Sequence, residues 1–365
     1  MTFIPGLELA RRFFHECVAP QLERLVPGLA YSAALIGDGS EVLGYDDAIS
    51  ADHDWGPRVQ IFLRKDDFER TAFTVIPTLQ RLLPTRFLGW PIAFQDADRP
   101  SGVDIQAGAA GSPAHGVEMH VLPAWVERYL GVEFDAAQMA TPQDWLGLPE
   151  AKLLAVTRGE VFRDDSGELT ALRRQLAWFP HDVWLFKLAS QWARISEEIA
   201  FVGRAGEVGD DLGSRVIAAR LVHETMRLAF LIERRYAPYA KWFGVGFGEL
   251  ECAGELRPLL VRVLDAGGWR EREQALGTAM LGLAQMQQRA GIPGSFRAAV
   301  SPYFDRPFRV INAGEIAAAI FAAIQDACLK ALPRAGAVDQ FVDHAAVLTN
   351  PQRTQTIAKA LYELG

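Results

Sequence analysis

The sequence predicts a two-domain chain of class α/β plus all-α: a small mixed sheet flanked by helices over residues 1–140, then a helical bundle over 141–365. Strand patterns are concentrated before about residue 125, whereas long helical patterns dominate from about residue 141 onward. The length of 365 residues is enough for about two domains of ordinary size. The change in composition between residues 126 and 141 therefore marks the expected domain boundary.

The elements of the first domain follow from the spacing of its apolar residues. Residues 1–26 place apolar side chains at helical spacing between charged ones, which predicts an amphipathic helix and not a signal peptide. A buried strand is predicted at residues 31–37 and an alternating strand at residues 58–64, and a helix follows the second directly. Three further short strands are expected, around Phe87, Val103 and Val117.

The second domain is expected to consist of long amphipathic helices. Helical spacing covers residues 141–162, 180–204 and 214–243, and Pro238 breaks the last of these near its end. The Ala- and Leu-rich remainder keeps the same spacing as far as residue 365. A helical bundle is the architecture that buries the apolar faces of such helices.

The charge balance and the cysteines disfavour several classes of protein. The chain has 37 Lys and Arg against 45 Asp and Glu, a net charge of -8, whereas proteins that bind DNA or RNA are usually basic. Nucleic acid is therefore disfavoured as a partner. The three cysteines form no Cys-x-x-Cys pair, which argues against a disulfide framework or a structural zinc site. No apolar run is long enough to span a membrane, and the expected location is the cytoplasm.

The most informative segment is residues 36–63, IGDGSEVLGYDDAISADHDWGPRVQIFL. Gly39 and Ser40 follow a predicted strand at an expected helix start, where glycine lets the backbone approach a phosphate and helix N–H groups donate to it. Eleven residues separate Ser40 from Asp52, which with Asp54 precedes the next strand. Carboxylates two positions apart on an extended segment point the same way, so Asp52 and Asp54 can share Mg²⁺ with substrate phosphates.

The Asp-His-Asp run at residues 52–54 has two other interpretations. Aspartates favour turns, so the run could simply be a turn ahead of the strand, but the Gly-Ser pair at the right distance favours a metal site. A His-Asp pair also occurs in histidine–aspartate metal hydrolases. That chemistry needs the pair on a helix, which the Trp-Gly-Pro sequence at residues 55–57 disfavours.

The order Gly-Ser, spacer and Asp-x-Asp resembles the signature of the DNA polymerase β-like nucleotidyltransferases. The run GSEVLGYDDAISADHDWGPR is more closely similar to an uncharacterised bacterial family of nucleotidyltransferase-like proteins. The likeness continues through FVGRAGEVGDDLGSRVIAARL, ERRYAPYAKWFG and FDRPFRVI and covers most of the chain. The resemblance implies that Gly39 and Ser40 grip phosphate and that Asp52 and Asp54 bind Mg²⁺ or Mn²⁺.

The resemblance also implies a third carboxylate from a later strand, and two residues compete for this role. Glu118 lies between Val117 and Met119 in the better-formed strand candidate, and it is the preferred residue, either as a metal ligand or as a general base. Asp104, in GVDIQ, is the alternative.

Two cations are candidates for binding the nucleotide. Arg58 follows the carboxylate pair by four residues and is expected to reach a phosphate, or else to pair with Asp46 or Asp47. In the enzymes that the sequence resembles, the helical domain often supplies a cation to the triphosphate, and Lys241 is the candidate here. A lysine whose methylenes cover the ring of Trp242 is the alternative reading of that residue.

These residues and the resemblance together predict an enzyme. It is expected to transfer a nucleoside monophosphate from an NTP to an acceptor, release pyrophosphate and require Mg²⁺ or Mn²⁺. The acidic balance favours a small molecule or a protein as the acceptor. A non-catalytic nucleotide-binding or interaction module, and a toxin–antitoxin-type enzyme that nucleotidylates a protein, are the alternatives.

Overall fold

The structure is a computed structural model that describes residues 3–49, 55–92, 116–133 and 141–363. The chain divides into two compact units. The first unit comprises Met1–Ala140, Lys152–Ala177 and Thr349–Pro351, and the second comprises Thr141–Ala151, Trp178–Leu348 and Gln352–Gly365. The chain therefore passes between the units more than once.

The described ranges contain short strands, concentrated in the first unit. They are β1 Ser32–Leu35, β2 Val59–Leu63, β3 Arg86–Phe87, β4 Trp90–Pro91, β5 Val117–Val121, β6 Glu160–Asp164, β7 Val300–Pro302 and β8 Arg309–Ile311. Strands β1, β2 and β5 confirm the predicted strands at residues 31–37, 58–64 and around Val117. The strand expected around Phe87 is the two-residue β3, which pairs with β4, and the one expected around Val103 lies outside the described residues.

Helices make up most of the remaining described structure. They are α1 Gly6–Phe13, α2 Ala19–Leu25, α3 Ser40–Leu43, α4 Lys65–Leu82, α5 Leu122–Leu130, α6 Pro142–Leu146, α7 Glu150–Arg158, α8 Glu168–Gln175, α9 His181–Glu198, α10 Phe201–Glu207, α11 Asp211–Ile232, α12 Phe243–Gly248, α13 Ala253–Asp265, α14 Trp269–Arg289, α15 Ala313–Ala323, α16 Ala327–Ala331, α17 Val338–Phe341, α18 Ala345–Leu348 and α19 Pro351–Tyr362. No helix in the described ranges has the length and apolar character that crossing a membrane requires.

The main sheet of the first unit has the strand order β5-β2-β1-β6. Strand β1 runs antiparallel to both β2 and β6, whereas β2 and β5 are parallel. As a result, the carboxyl end of β1 lies at the same end of the sheet as the first residues of β2 and β5. The connections that carry the Gly-Ser pair and the strand that carries Glu118 therefore meet at one end of the sheet.

The two faces of this sheet differ in chemistry. Alternate residues of β2 and β5, such as Ile61 and Val117, join a hydrophobic core with α1 and α4, in which Leu9 and Leu79 are completely buried. Because side chains alternate along a strand, the intervening residues project to the opposite face. That face carries Gln60, Phe62, Glu118 and His120, and it is the polar one.

Strand β6 differs from the sequence prediction, which assigned residues 141–162 to a helical pattern. Helix α7 ends at Arg158, and the chain then turns into β6 beside β1. The turn depends on Gly159, because a Cβ there would lie 2.1 Å from the carbonyl oxygen of Leu35. Arg11 of α1 holds the new strand through two 2.6 Å hydrogen bonds to the Glu160 carboxylate.

The second unit is mainly helical, with one two-stranded hairpin of β7 and β8. Its longest helices are α9, α11 and α14, and α9 packs against both α11 and α15. The aromatic rings of Trp184 and Trp192 fill the interior around α9. Each indole N–H is satisfied there: Trp184 donates to the carbonyl of Leu231 and Trp192 to the side chain of Gln287.

A completely buried lysine, Lys187 of α9, joins distant parts of this unit. Its Nζ lies 3.1 Å from Oε1 of Glu150 and 2.9 Å from Oδ1 of Asp339. Burial alone would raise the pKa of Asp339, but the charges of Lys187 and Arg227 outweigh it and hold that pKa below its ordinary value. The cluster is stable because both carboxylates are compensated.

We expect Lys187→Met to lower the free energy of unfolding by about 3–5 kcal/mol, because it leaves two buried carboxylates without their ammonium. Urea denaturation followed by tryptophan fluorescence measures this change. Lys330→Met on α16, where the lysine is exposed, is the matched control and should change stability by less than about 0.5 kcal/mol. A loss below about 1 kcal/mol for Lys187→Met would show that water or rearrangement compensates the cluster.

Candidate functional site

Strand register brings four of the predicted site residues to one end of the main sheet. Ala34 of β1 pairs with Gln60 of β2, and Gln60 pairs with Glu118 of β5. Since neighbouring strands lie about 4.8 Å apart, the backbone of Glu118 is roughly 10 Å across the sheet from that of Ala34, near the end of β1. Gly39 and Ser40 follow β1, and Arg58 immediately precedes β2.

The Gly39 backbone adopts a conformation that requires glycine. Its φ is +147°, and a Cβ at this position would lie 2.7 Å from both carboxylate oxygens of Glu41. Ser40 is the first residue of α3, which confirms the expected helix start. This helix is a single turn, and Gly44 ends it in the left-handed region.

Arg58 is held across this turn by Glu41. The Glu41 side chain is only 3% exposed and forms an ion pair with the Arg58 guanidinium. The same guanidinium donates a 3.3 Å hydrogen bond to the backbone carbonyl of Asp38. Asp46 and Asp47 were the alternative partners expected for Arg58. Asp46 accepts hydrogen bonds from the backbone N–H of Gly6 (2.6 Å) and the indole of Trp55 (2.8 Å).

A second cation, Lys152 of α7, lies at the same turn, and the sequence analysis missed it. Its Nζ is 3.7 Å from Asp38 Oδ2 and 4.0 Å from the centre of the Tyr129 ring, and its side chain is 9% exposed. Burial lowers the pKa of Lys152, and the Asp38 carboxylate partly opposes that shift. Tyr129 donates a 2.8 Å hydrogen bond to Asp38. Burial, reinforced by that carboxylate, raises the pKa of Tyr129 well above its ordinary value.

Glu118 belongs to a hydrogen-bonded chain on the polar face of the sheet. His120 Nε2 lies 2.9 Å from Glu118 Oε2, and Arg128 of α5 lies 3.2 Å from His120 Nδ1. The Glu118 side chain is 46% exposed, whereas that of His120 is 13% exposed. The carboxylate is therefore reachable from solvent while its partner is held inside.

The surroundings of Glu118 keep its carboxylate ionised. Desolvation by nearby protein atoms would raise its pKa, but the hydrogen bond from His120 and the charges of Arg58 and Arg128 outweigh this effect and lower it. A carboxylate with a lowered pKa is a weak base at neutral pH. These surroundings favour an anionic ligand over a proton acceptor at this position.

The remaining predicted site residues have different positions. Asp52, Asp54 and Asp104 lie outside the described residues. Lys241 belongs to the second unit, in a 3-10 turn at Ala240–Trp242, and its Nζ lies 4.8 Å from the centre of the Trp242 ring. Within the ranges that the structure describes, no three His, Cys, Asp or Glu side chains are grouped as metal ligands.

Two residues of the site, Arg128 and Lys152, have no signal in the local sequence. Lys152 reaches Asp38 from a helix more than 100 residues further along the chain, and Arg128 reaches His120 from the next helix. Only His120 carried a local indication, since it alternates with Glu118 along a strand and therefore shares its face.

Comparisons with known proteins identify limited similarity. A family model described as a domain of unknown function (DUF4037) matches residues 145–243. No curated protein matches the chain. Among solved structures, the chain is similar to a nucleotidyltransferase-like protein from Exiguobacterium sibiricum 255-15, with a TM-score of 0.31 and 11% identity over 76% of this chain and 74% of that chain.

Proposed function

We propose that the protein is a Mg²⁺-dependent nucleotidyltransferase that moves a nucleoside monophosphate from an NTP to an acceptor and releases pyrophosphate. One observation carries the proposal: the turn at Gly39 and Ser40, the start of β2 and the carboxylate of Glu118 meet at one end of a sheet. In the sequence, Asp52 and Asp54 lie seven and five positions before Val59, the first residue of β2.

The proposed metal ligands are Asp52, Asp54 and Glu118, with Asp104 as the alternative third carboxylate. The Glu118 carboxylate fits a hard cation, because it is an ionised oxygen donor that is half exposed at the end of the sheet. Bound Mg²⁺ would supply charge stabilisation to an in-line displacement at phosphorus, which depends mostly on positioning and electrostatics.

Gly39, Ser40 and Arg58 are proposed to hold the outer phosphates. Because Gly39 has no Cβ, a phosphate can approach its backbone closely. The carboxylate of Glu41 lies in the space that a Cβ would fill. A guanidinium can clamp two phosphate oxygens, and Arg58 already points across this turn. When phosphate binds, Arg58 would leave the carboxylate of Glu41 and pair with a phosphate oxygen instead.

The proposed acceptor is a small molecule, with a protein as the second choice. The chain carries a net charge of -8, which opposes the approach of a polyanion such as RNA. The same charge attracts a cationic acceptor.

The test is to incubate the full chain with each labelled NTP, Mg²⁺ and a cell extract, and to identify the labelled product. We expect one NTP to give a labelled small molecule and pyrophosphate, both dependent on Mg²⁺. Thermal shift in the same mixtures should show that NTP and metal together stabilise the protein more than either does alone. If NTP with metal gives neither stabilisation nor product, the proposal is wrong. Stabilisation without product from any extract would instead favour the non-catalytic nucleotide-binding alternative.

Lys241 is proposed to supply a further cation to the triphosphate. We expect Lys241→Ala to weaken NTP binding by about tenfold, the effect of losing one charge-assisted hydrogen bond, and to reduce the salt dependence of binding. Isothermal titration at two salt concentrations measures both. Lys330→Ala, an exposed lysine of the same unit, is the control and should leave binding unchanged. Equal affinities for the two variants would show that Lys241 does not contribute to NTP binding.

A further inference from the structure

We infer that His120 and Arg128 are positioning residues for the Glu118 carboxylate, which they orient toward a divalent cation without cancelling its charge. The inference rests on the proposed function, since it assigns Glu118 to the metal site. It is carried by the hydrogen-bonded chain that runs from Arg128 through His120 to Glu118.

The chemistry of arginine fixes the direction of this chain. A guanidinium only donates hydrogen bonds, so His120 Nδ1 must be the acceptor in its 3.2 Å contact with Arg128. The remaining ring proton of a neutral imidazole then lies on Nε2. That N–H donates to Glu118 Oε2 over 2.9 Å.

A neutral donor suits a carboxylate that must bind a cation. A lysine or arginine in direct contact with Glu118 would orient it but would also neutralise much of its charge. His120 gives the hydrogen bond and leaves the negative charge available. Residues that hydrogen-bond to metal ligands commonly orient them in this way, and their loss typically reduces metal affinity by about 10–100-fold.

Packing holds both positioning residues in place. The His120 ring lies 5.8 Å from the Phe62 ring on the neighbouring strand. Phe62 in turn packs edge-to-face on Trp125, at 5.6 Å, and Trp125 lies on α5, the helix that carries Arg128. Helix α5 begins directly after β5, so the donor chain is anchored at both ends.

A purely structural role makes a different prediction. If the chain only joins α5 to the sheet, its loss lowers stability and affects nucleotide binding equally with and without metal. If it orients Glu118, its loss reduces specifically the part of nucleotide affinity that the metal adds.

The experiment measures the affinity for a non-hydrolysable NTP analogue by isothermal titration, in Mg²⁺ and in EDTA. The quantity compared between variants is the affinity in Mg²⁺ divided by the affinity in EDTA. His120→Leu should lower this ratio about tenfold and leave the affinity in EDTA unchanged. His120→Gln, whose amide N–H can replace the Nε2 donor, should restore the ratio to within about threefold of the wild type. Arg128→Met should also lower the ratio of the affinities in Mg²⁺ and EDTA. His15→Leu, an exposed histidine of the first unit, is the control.

The inference would be overturned if His120→Leu lost the same factor of affinity for the NTP analogue in Mg²⁺ and in EDTA. It would also be overturned if His120→Gln did not restore the ratio of the two affinities. Circular dichroism and the melting temperature show whether each variant is folded, and if His120→Leu is not, Arg128→Met against Arg128→Lys provides the same comparison. If Asp54→Asn loses the effect of Mg²⁺ while His120→Leu keeps it, the positioning role fails and the proposed function stands. If the wild type shows no effect of Mg²⁺, the proposed function itself fails.

Discussion

Asp54→Asn is expected to abolish the additional stabilisation that Mg²⁺ gives to the NTP-bound protein. With NTP and Mg²⁺ at about a hundred times the dissociation constant of the complex, binding stabilises the wild type by about 2.7 kcal/mol in total, and the part of this that exceeds the effect of NTP alone should be lost. The reason is that an amide cannot supply the charge with which Asp54 is proposed to hold the cation. A thermal-shift matrix of NTP, Mg²⁺ and both together measures the effect.

The control for Asp54→Asn is Asp66→Asn, which removes an exposed carboxylate from the first turn of α4. Both variants should melt close to the wild type when no ligand is present. The metal assignment would be wrong if Asp54→Asn kept the combined effect of NTP and Mg²⁺ at its wild-type size. A manganese titration of the same two variants gives an independent readout.

Glu118→Gln is expected to reduce kcat by at least about a hundredfold, the lower range for a positioned catalytic group, while NTP binding stays measurable. Glutamine keeps the shape of the side chain and can still accept a hydrogen bond from His120, so the variant removes mainly the charge. Asp104→Asn should change kcat by less than about threefold, because only one of these two acids is proposed to complete the site. Steady-state kinetics with the acceptor identified from the extract measures both.

The reverse result, a severe defect for Asp104→Asn and a mild one for Glu118→Gln, would transfer the third carboxylate to the segment around Val103. It would also leave the His120 chain with a structural role only. A severe defect in both variants would mean that the two acids act together and would contradict the choice between them.

The strands that position the site could be predicted because their sequences are locally unambiguous. Residues 32–35 form a continuous buried run, and residues 59–63 are apolar and buried except for the half-buried Gln60, so burial alone specifies both. The Gly-Ser pair could be placed at a helix start for a similar reason, since Gly39 adopts a backbone conformation that other residues avoid. These features depend on neighbours in sequence.

The contacts around the candidate site depend instead on distant residues, and the sequence could not predict them. Arg58 pairs with Glu41, 17 positions earlier, because β1 and β2 are antiparallel and bring those positions together. Lys152 lies in a helix whose local pattern shows only amphipathic spacing. Strand β6 was missed because the helical pattern of α7 continues into it, and only the fit of Gly159 against Leu35 reveals the break.

The position of β6 has a consequence for cutting the chain into fragments. A fragment that ends at residue 140, the boundary predicted from composition, lacks β6 and leaves the N–H and C=O groups on one side of β1 unpaired. Strand β1 is Ser-Ala-Ala-Leu and carries no charge that would repel a second strand. Exposed edges of this kind recruit strands from other molecules, so such a fragment is prone to aggregate. A fragment that continues to residue 177 retains β6, together with the Glu160 carboxylate that anchors Arg11.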